Sequence, residues 1–278
     1  MIPLRDNIPS STVPVVNYLM IAICALSFAA QLLTQGPQQD PLVERLGMVP
    51  QRVLHPDEPV VVQERVAFVD ERGIVREFRD VSRELAAPPF SPWLTLLSCI
   101  FLHGGWMHFL GNMWFLHIFG DNVEDRLGHV AYLLFYLFCG VGASAAHLAT
   151  NSDSPIPTIG ASGAIAGVMG AYFLLYPHAQ VLSLVPIVFF IQIIVVPAPI
   201  FLGIWFFLQF LQGTMAVTSV QTGGVAWWAH IGGFAVGWLI AAGLRLVGET
   251  RPPVEQRRTM GRTMGRSSED FGTPRRWN

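Results

Sequence analysis

The sequence predicts an all-α polytopic membrane protein, and composition and charge distribution are the first evidence for that fold class. Its 278 residues are 52% hydrophobic and 13% charged, with a mean hydropathy of +0.45, whereas soluble domains carry about 25% charged residues. Between Leu85 and Gly248 the chain has only four acids and two arginines. Long uncharged segments, with charge clustered outside them, are typical of a protein that crosses a membrane several times.

The N-terminal part predicts a tail, a first helix and a charged loop. Residues 1–12 are polar and are expected to form a cytoplasmic tail. The apolar segment Val13–Leu33 is about as long as one membrane span. It lacks a small-x-small cleavage site and further spans follow, so we interpret it as a retained helix rather than a signal peptide.

Residues 35–92 predict an extracytoplasmic loop that is too short to form an independent domain. Ten acids and seven arginines lie between residues 40 and 84. Apolar and charged residues alternate within 57–82, around the turn sequence Asp70-Glu71-Arg72-Gly73, and this pattern predicts a β-hairpin insertion.

Five further apolar segments complete a predicted six-helix membrane domain over residues 13–247. The polar stretches "GDNVEDRLG" and "TNSDSPIPT" are expected to be turns between helices. The stretch "VLSLVPIVFFIQIIVVPAP" is broken by prolines, and we expect an irregular, partly buried segment there. The helices are expected at about Leu97–Phe119, His129–Ala149, Gly160–Tyr176, from near Pro197, and at Val225–Val247.

The orientation follows from the tail at residues 248–278. It has seven arginines and no apolar pattern, so we expect it to be disordered. Six helices leave both termini on one side of the membrane. Positive charge marks that side as cytoplasmic, and the net-acidic loop then lies outside.

Polar side chains inside three of the predicted helices are the candidate functional residues, because polar groups are costly to bury in a membrane. His108 and Asn112 in the second helix are four residues apart and share a face. Ser162 begins the fourth helix and His230 lies near the start of the sixth.

Small residues follow both Ser162 and His230 at spacings that favour close helix packing. Gly233 and Gly237 lie on the same stripe as His230, and small residues of this kind let membrane helices approach to backbone contact. Both helices enter from the outer side, so packing them together would bring the hydroxyl to the imidazole. The corresponding glycines of the fourth helix are Gly163, Gly167 and Gly170.

A hydrogen-bonded histidine can activate a serine as a nucleophile. The outer side of the core offers only Asp153 as a third, acidic member, in a loop nine residues before Ser162, so we predict a Ser–His dyad. His108 and Asn112, together with the Ser162 backbone N–H, can stabilise an oxyanion.

Other interpretations of these residues remain open. Ser162 could be a helix N-cap, and small-residue stripes also occur in transporters and dimers. His108 and His230 could bind zinc, but a third ligand is missing and we predict no metal site. The three cysteines are dispersed and fit neither a disulfide framework nor a metal site. Structural roles are expected for His103, through hydrogen bonds that hold the loop before the second helix, and for Glu124 and Arg126, in a salt-bridged turn.

The motifs G-A-S-G, A-H-x-x-G-x-x-x-G and H-x-x-x-N together resemble those of rhomboid intramembrane serine proteases, over about residues 93–247. The resemblance implies that Ser162 and His230 are the catalytic pair, that His108 and Asn112 bind the oxyanion, and that Glu124 and Arg126 correspond to the Glu-x-Arg of the turn after the second helix. The sequence departs from the pattern where many members place an aromatic residue, at Ala166. The Trp-Arg motif is also absent, since Trp93 is followed by Leu94.

The function implied by this resemblance is endoproteolysis of single-span membrane proteins near the outer end of their helix, without a cofactor. We expect a bacterial inner-membrane location with both termini cytoplasmic. The lipid bilayer and the substrate are the expected partners; no nucleotide motif is found, and the net charge of −2 argues against nucleic acid. The alternatives are a rhomboid-like pseudoprotease, which binds membrane clients without cutting, and a transporter, for which inverted repeats or mid-membrane charges are missing.

Overall fold

A computed structural model describes residues 1–36, 40–69, 75–187, 190–218, 226–248 and 250–252. The described chain is mostly helical, with two small sheets. In chain order the elements are β1 Ile2–Asp6, α1 Val15–Thr34, α2 Pro41–Leu46, α3 Pro50–Leu54, β2 Val61–Val69, β3 Val75–Glu84, α4 Thr95–Ser98, α5 Trp106–Leu127, α6 His129–Thr150, α7 Ser162–Leu175, β4 Gln180–Ile187, β5 Phe190–Pro197, α8 Ala198–Thr218 and α9 Trp227–Leu246.

The long helices include four that are long and apolar enough to cross a membrane: α1, α6, most of α8, and α9. A fifth span is possible if residues 92–101 and α5, which meet at a bend of 79°, are counted together. Helix α7 has 14 residues, about 21 Å of helix, which is shorter than a ~30 Å hydrocarbon core. A multi-pass, mostly helical membrane protein is thereby confirmed, and the number of six spans stays a prediction.

The expected boundaries of the second helix are wrong at both ends. Residues 92–101 form short helical turns of their own, and α5 runs from Trp106 to Leu127 through the segment that we expected to be a turn. The polar residues of that segment have tertiary partners: the hydroxyls of Ser11 and Thr12 donate to Asp125 at 2.8 Å each. The polarity that suggested a loop is therefore explained by contacts with the N-terminal segment.

The prediction of an all-α protein is also wrong, because β1, β4 and β5 form a three-stranded sheet in that order. The residues between α7 and α8, expected to be irregular, form the antiparallel hairpin β4–β5, and the tail residues 2–6 add the strand β1. Pro186 is compatible with the central strand because it lies beyond Leu184, the last β4 residue that pairs with β1.

Strands β2 and β3 form a two-stranded antiparallel hairpin in the charged loop. Arg83 ties this hairpin to α2, because its guanidinium lies 2.6 Å from Glu64 and 2.9 Å from Glu44. The hydrogen bond from Arg83 holds the pKa of Glu64 below its ordinary value. The expected turn at residues 70–73 and the expected disordered tail from residue 253 onward lie outside the described residues.

Helix α7 is the centre of the bundle, since every residue from Gly163 to Tyr172 is buried. The two sheets lie at opposite ends of it. The start of α7 is fixed by the loop before it, in which Thr158 exchanges two backbone hydrogen bonds with Met48, at 2.8 and 3.0 Å. The end of α7 leads into the three-stranded sheet, where the Tyr172 hydroxyl donates to Asp6.

Candidate active site

The site is positioned by backbone contact between α7 and α9. A Cβ added to Gly233 would lie 2.0 Å from the carbonyl oxygen of Gly163, and one added to Gly237 would lie 2.0 Å from that of Gly167. Only glycine fits at these two points of α9. Gly170 makes the same kind of contact in the other direction, because its added Cβ would lie 2.2 Å from the carbonyl oxygen of Phe234.

The glycines of α7 have a second neighbour that the sequence analysis did not anticipate. A Cβ added to Gly163 or Gly167 would point at α6 and lie 2.5 Å from the Cβ of Ala143 or Cys139, respectively. The small residues of α7 therefore allow close approach on two sides, by α6 and by α9.

This packing brings Ser162 and His230 together. The distance from Ser162 Oγ to His230 Nε2 is 2.7 Å, the length of a good hydrogen bond. Ser162 is the first residue of α7, directly after the N-cap residue Ala161, and its hydroxyl is hydrogen-bonded to the histidine. His230 is buried, with 7% of its surface exposed.

Gln209 of α8 fixes the other side of the imidazole ring. Its Oε1 lies 2.7 Å from His230 Nδ1. An amide oxygen can only accept, so Nδ1 carries the proton and Nε2 is left to accept from the Ser162 hydroxyl. Gln209 is itself buried, with 9% of its surface exposed.

Two tryptophans enclose the same ring, where the sequence left Ala166 in place of an aromatic residue. The ring of Trp205 in α8 is tilted by 35° at 5.9 Å from His230, and Trp227 meets it edge-on at 6.2 Å. Tyr172, farther along α7, packs against Phe119 instead.

His108 has its tautomer set by the backbone of the loop before α5. The Gly104 N–H donates to His108 Nδ1 at 3.1 Å, so the proton of the neutral ring is on Nε2. That nitrogen lies 2.7 Å from the position of a Cβ added to Gly160, and the Ser162 Oγ lies 3.5 Å from the same point. His108 therefore directs a donor toward the serine, and Gly160, with φ of +128°, leaves the space between them open.

Asn112 lies one turn after His108 on α5 and is 8% exposed. Within the described residues its buried Nδ2 has no hydrogen-bond partner. A buried amide without a partner is costly, so this donor remains free to bind a further acceptor.

His103 lies directly beside this cluster, with its ring edge-on to that of His108 at 5.4 Å between centroids. Neither ring nitrogen of His103 has a hydrogen-bond partner among the described residues; its ring packs on aromatic side chains, while Gln31 bonds its backbone N–H and C=O at 2.9 and 3.0 Å. The expected hydrogen bonds of the loop are therefore made by the His103 backbone, not by its ring.

Glu124 accepts from two backbone N–H groups in the first turn of α1, at 2.9 Å from Val16 and 2.7 Å from Asn17. The Arg126 guanidinium lies over the ring of Tyr176, 5.6 Å from its centroid. The two side chains join helices at the end of the bundle away from Ser162, and the segment is helical rather than a turn.

A small pocket of about 20 Å³, partly open to the outside, adjoins Ser162. Small side chains and backbone form most of its wall, which includes Gly140, Ala143, Ser144, Thr158, Gly160 and Gly163. It has room for about one water molecule beside the serine. In the described part of the chain, no cluster of three or more His, Cys, Asp or Glu side chains could hold a metal ion.

Comparison with known families decides the classification. The Rhomboid domain model matches residues 91–246, more than half of the chain, and includes both Ser162 and His230. The chain belongs to the rhomboid family. This confirms the resemblance inferred from the three motifs.

Rhomboid relatives come from plants, bacteria and mitochondria. The chain is 34% identical to "Rhomboid protease GluP" of Bacillus subtilis over 154 residues. This alignment covers 55% of this chain and 26% of that protein. It is 38% identical over 76 residues to "RHOMBOID-like protein 5" of Arabidopsis thaliana, covering 27% of this chain and 25% of the relative. For "Rhomboid protein 1, mitochondrial" of Saccharomyces cerevisiae the identity is 28% over 151 residues, and the alignment covers 52% of this chain and 40% of the relative. The matched part thus spans less than half the length of each of these rhomboid relatives.

Sequence reasoning missed Gln209 and the role of Gly160. Gln209 is one of two glutamines in "FFLQFLQG", and a polar residue within a rhomboid membrane helix is a signal in itself. Which of the two faces His230 depends on the rotation of α8, and that is set by packing. Gly160 was visible only as part of the G-A-S-G motif, and its contact with His108 joins residues 52 positions apart.

Proposed function

We propose that this rhomboid is an intramembrane serine endopeptidase that cleaves single-span membrane proteins near the outer end of their transmembrane helix. The observation that carries the proposal is the 2.7 Å hydrogen bond between Ser162 Oγ and His230 Nε2, on two helices held together by glycines. A serine needs an adjacent base to act as a nucleophile, and this arrangement supplies one.

In the proposed mechanism Ser162 attacks the scissile carbonyl while its proton passes to His230 Nε2. The imidazolium is stabilised by the Gln209 oxygen at Nδ1, which takes the orienting position that an aspartate has in the Ser-His-Asp triad. His230 then returns the proton to the leaving amine and the acyl-enzyme remains. A water molecule, deprotonated by the same histidine, hydrolyses that intermediate.

The oxyanion that forms in both steps requires donors on the side of the serine away from His230. We assign three donors to this role: the Ser162 backbone N–H, which has no intrahelical partner because it lies in the first turn of α7, the His108 Nε2–H, and the Asn112 Nδ2, which has no partner among the described residues. Removing one such donor typically lowers turnover by about 10²- to 10³-fold.

The substrate class is proposed from the family and from the shape of the site. The pocket beside Ser162 is small, which favours a substrate with a small residue at the cut. A substrate helix has its carbonyl groups hydrogen-bonded and must unwind before attack, so helix-breaking residues near the cut should help.

We propose the predicted orientation for this function, with the β2–β3 hairpin outside and both termini in the cytoplasm of a bacterium. The start of α7, with Ser162, lies at the same end of the bundle as α2, which carries this hairpin. Water can then reach the serine from the outer side.

The function is tested with purified protein and a tagged single-span substrate in vesicles. Wild-type protein should release two fragments, and Ser162→Ala and His230→Ala should release none while their melting temperatures stay close to wild type. Because the two residues act as one unit, the double variant should be no worse than either single variant. Substrate that binds to wild-type protein but stays intact would favour the pseudoprotease instead.

A further inference from the structure

The segment Gln180–Pro197, here called the apolar hairpin, is the most unusual surface of this rhomboid. It contains no charged residue, and its strand β5 is exposed from Phe190 to Val195. Phe190, Ile191 and Ile193 are 73%, 70% and 61% exposed. An apolar patch of this kind on a protein surface marks an interaction site.

Both faces of β5 are exposed, and a binding partner would have to cover both. Side chains alternate between the two faces of a strand, so Ile191 and Ile193 lie on one face and Phe190 and Ile194 on the other. All four are exposed. A second copy that paired along the open edge of β5 would satisfy its backbone and leave both faces in water, whereas lipid can surround a strand on both faces.

The charged hairpin β2–β3 provides an internal comparison. It has similar strand lengths and is also two-stranded where it leaves the bundle, but charged residues such as Glu77, Arg79 and Asp80 are interspersed along it. Such interspersion of charged residues is expected for a hairpin that has water on both of its faces. The difference in composition between the two hairpins therefore indicates a difference in surroundings.

The apolar hairpin is continuous with a surface that already faces lipid. Helix α8, a candidate membrane span, begins at Ala198 directly after β5. Its residues Ile200, Ile204 and Phe207 are 54%, 42% and 61% exposed. The apolar surface thus runs from the span onto β5 without a polar break other than Gln192.

We infer that the apolar hairpin lies in the membrane–water interface, with β5 side chains inserted among the lipid acyl chains of the leaflet opposite to the one nearest Ser162. Because β5 is an edge strand, its open edge carries unpaired backbone groups, which a hydrocarbon core would not satisfy. The hairpin therefore lies at headgroup depth, where water and headgroups reach that edge, as interfacial amphipathic segments do.

The test uses single cysteines carrying an environment-sensitive fluorophore. The native Cys24, Cys99 and Cys139 are 0–3% exposed, so thiol reagents should react with introduced cysteines in the folded protein. Ile191→Cys and Ile194→Cys report on the two faces of β5. Phe78→Cys in β3, 63% exposed in the wild type, is the matched control.

Labelled proteins are reconstituted into phosphatidylcholine vesicles with and without lipids that carry a quencher on the acyl chain. Both β5 labels should emit at shorter wavelength than the β3 label and lose intensity with the quencher lipid, while the β3 label keeps its intensity. Water-like, unquenched emission from both β5 positions would overturn the inference. Unquenched β5 labels together with disulfide crosslinks between two copies of Ile193→Cys would also overturn it, because a second copy of the chain would then cover β5 in place of lipid. Two β5 sites keep the test decisive if one variant fails to fold.

Discussion

Replacing Gly237 by leucine should separate α9 from α7 and disable the site without touching it. A Cβ at this position would lie 2.0 Å from the Gly167 carbonyl oxygen, and ordinary contact begins at 3.4 Å, so the helices must part by about 1.4 Å. The obstacle is a backbone carbonyl of a buried helix, which cannot move aside by a rotamer change as a side chain can. The rest of the leucine side chain adds to the displacement.

The separation acts directly on the dyad because His230 is on the same helix, seven residues before Gly237. A shift of more than 1 Å breaks a hydrogen bond that is 2.7 Å long in the wild type, and a misplacement of ~1 Å can cost ~10²-fold in rate. Overpacking of this kind should also lower the free energy of unfolding by ~1–3 kcal/mol.

Cleavage rate and melting temperature are measured together, below the melting temperature of the variant. Gly243→Leu is the matched control on the same helix and Gly203→Leu is the control on α8, since an added Cβ at either site has no neighbour within 4 Å. Both controls should remain near wild type. If Gly237→Leu keeps the wild-type rate and stability, close packing of α7 and α9 does not deliver the histidine to the serine.

Three other predictions concern the surroundings of the dyad and the orientation. Gln209→Leu should lower turnover roughly fivefold to tenfold, as expected for one neutral hydrogen bond, with KM unchanged; Gln209→Glu, which keeps an acceptor oxygen at Nδ1, should restore much of it, and Leu208→Ala should have little effect. An equal loss in Gln209→Leu and Gln209→Glu would contradict an orienting role. Asn112→Ala should lower turnover by about 10²-fold or more and leave substrate affinity unchanged, and full activity with every substrate would remove Asn112 from the oxyanion site. Phe78→Cys should react with an impermeant thiol reagent on intact bacterial cells and Thr250→Cys only after permeabilisation; the reverse pattern would invert the proposed orientation.

The helices and the meeting of Ser162 with His230 could be predicted because local patterns encode them. Span length is set by the membrane, and the spacing of small residues determines which helix faces can touch. The backbone contact of Gly237 with Gly167, where an added Cβ would lie 2.0 Å from the carbonyl oxygen, is a direct consequence of that spacing.

The parts that sequence reasoning missed depend on contacts between distant segments. Strand β1 pairs with β4 about 180 residues later, and no local pattern in the polar N-terminal segment indicates that partner. The end of α5 was taken for a turn because Glu124 and its neighbours are polar, although Glu124 accepts from backbone N–H groups of α1. Likewise, the role of Gln209 depends on how α8 is rotated against α9.

The central claim is that His230 makes Ser162 a nucleophile, and labelling by a fluorophosphonate tests it most directly because the probe reacts covalently with activated serines and needs no substrate. Wild-type protein in detergent should be labelled, and peptide mapping should find the adduct at Ser162. Ser162→Ala and His230→Ala should not be labelled. Ser144→Ala, which removes the other serine of the same pocket, should be labelled like wild type. Labelling that persists in Ser162→Ala, or an unlabelled wild-type protein that is folded by its melting curve, would contradict the account.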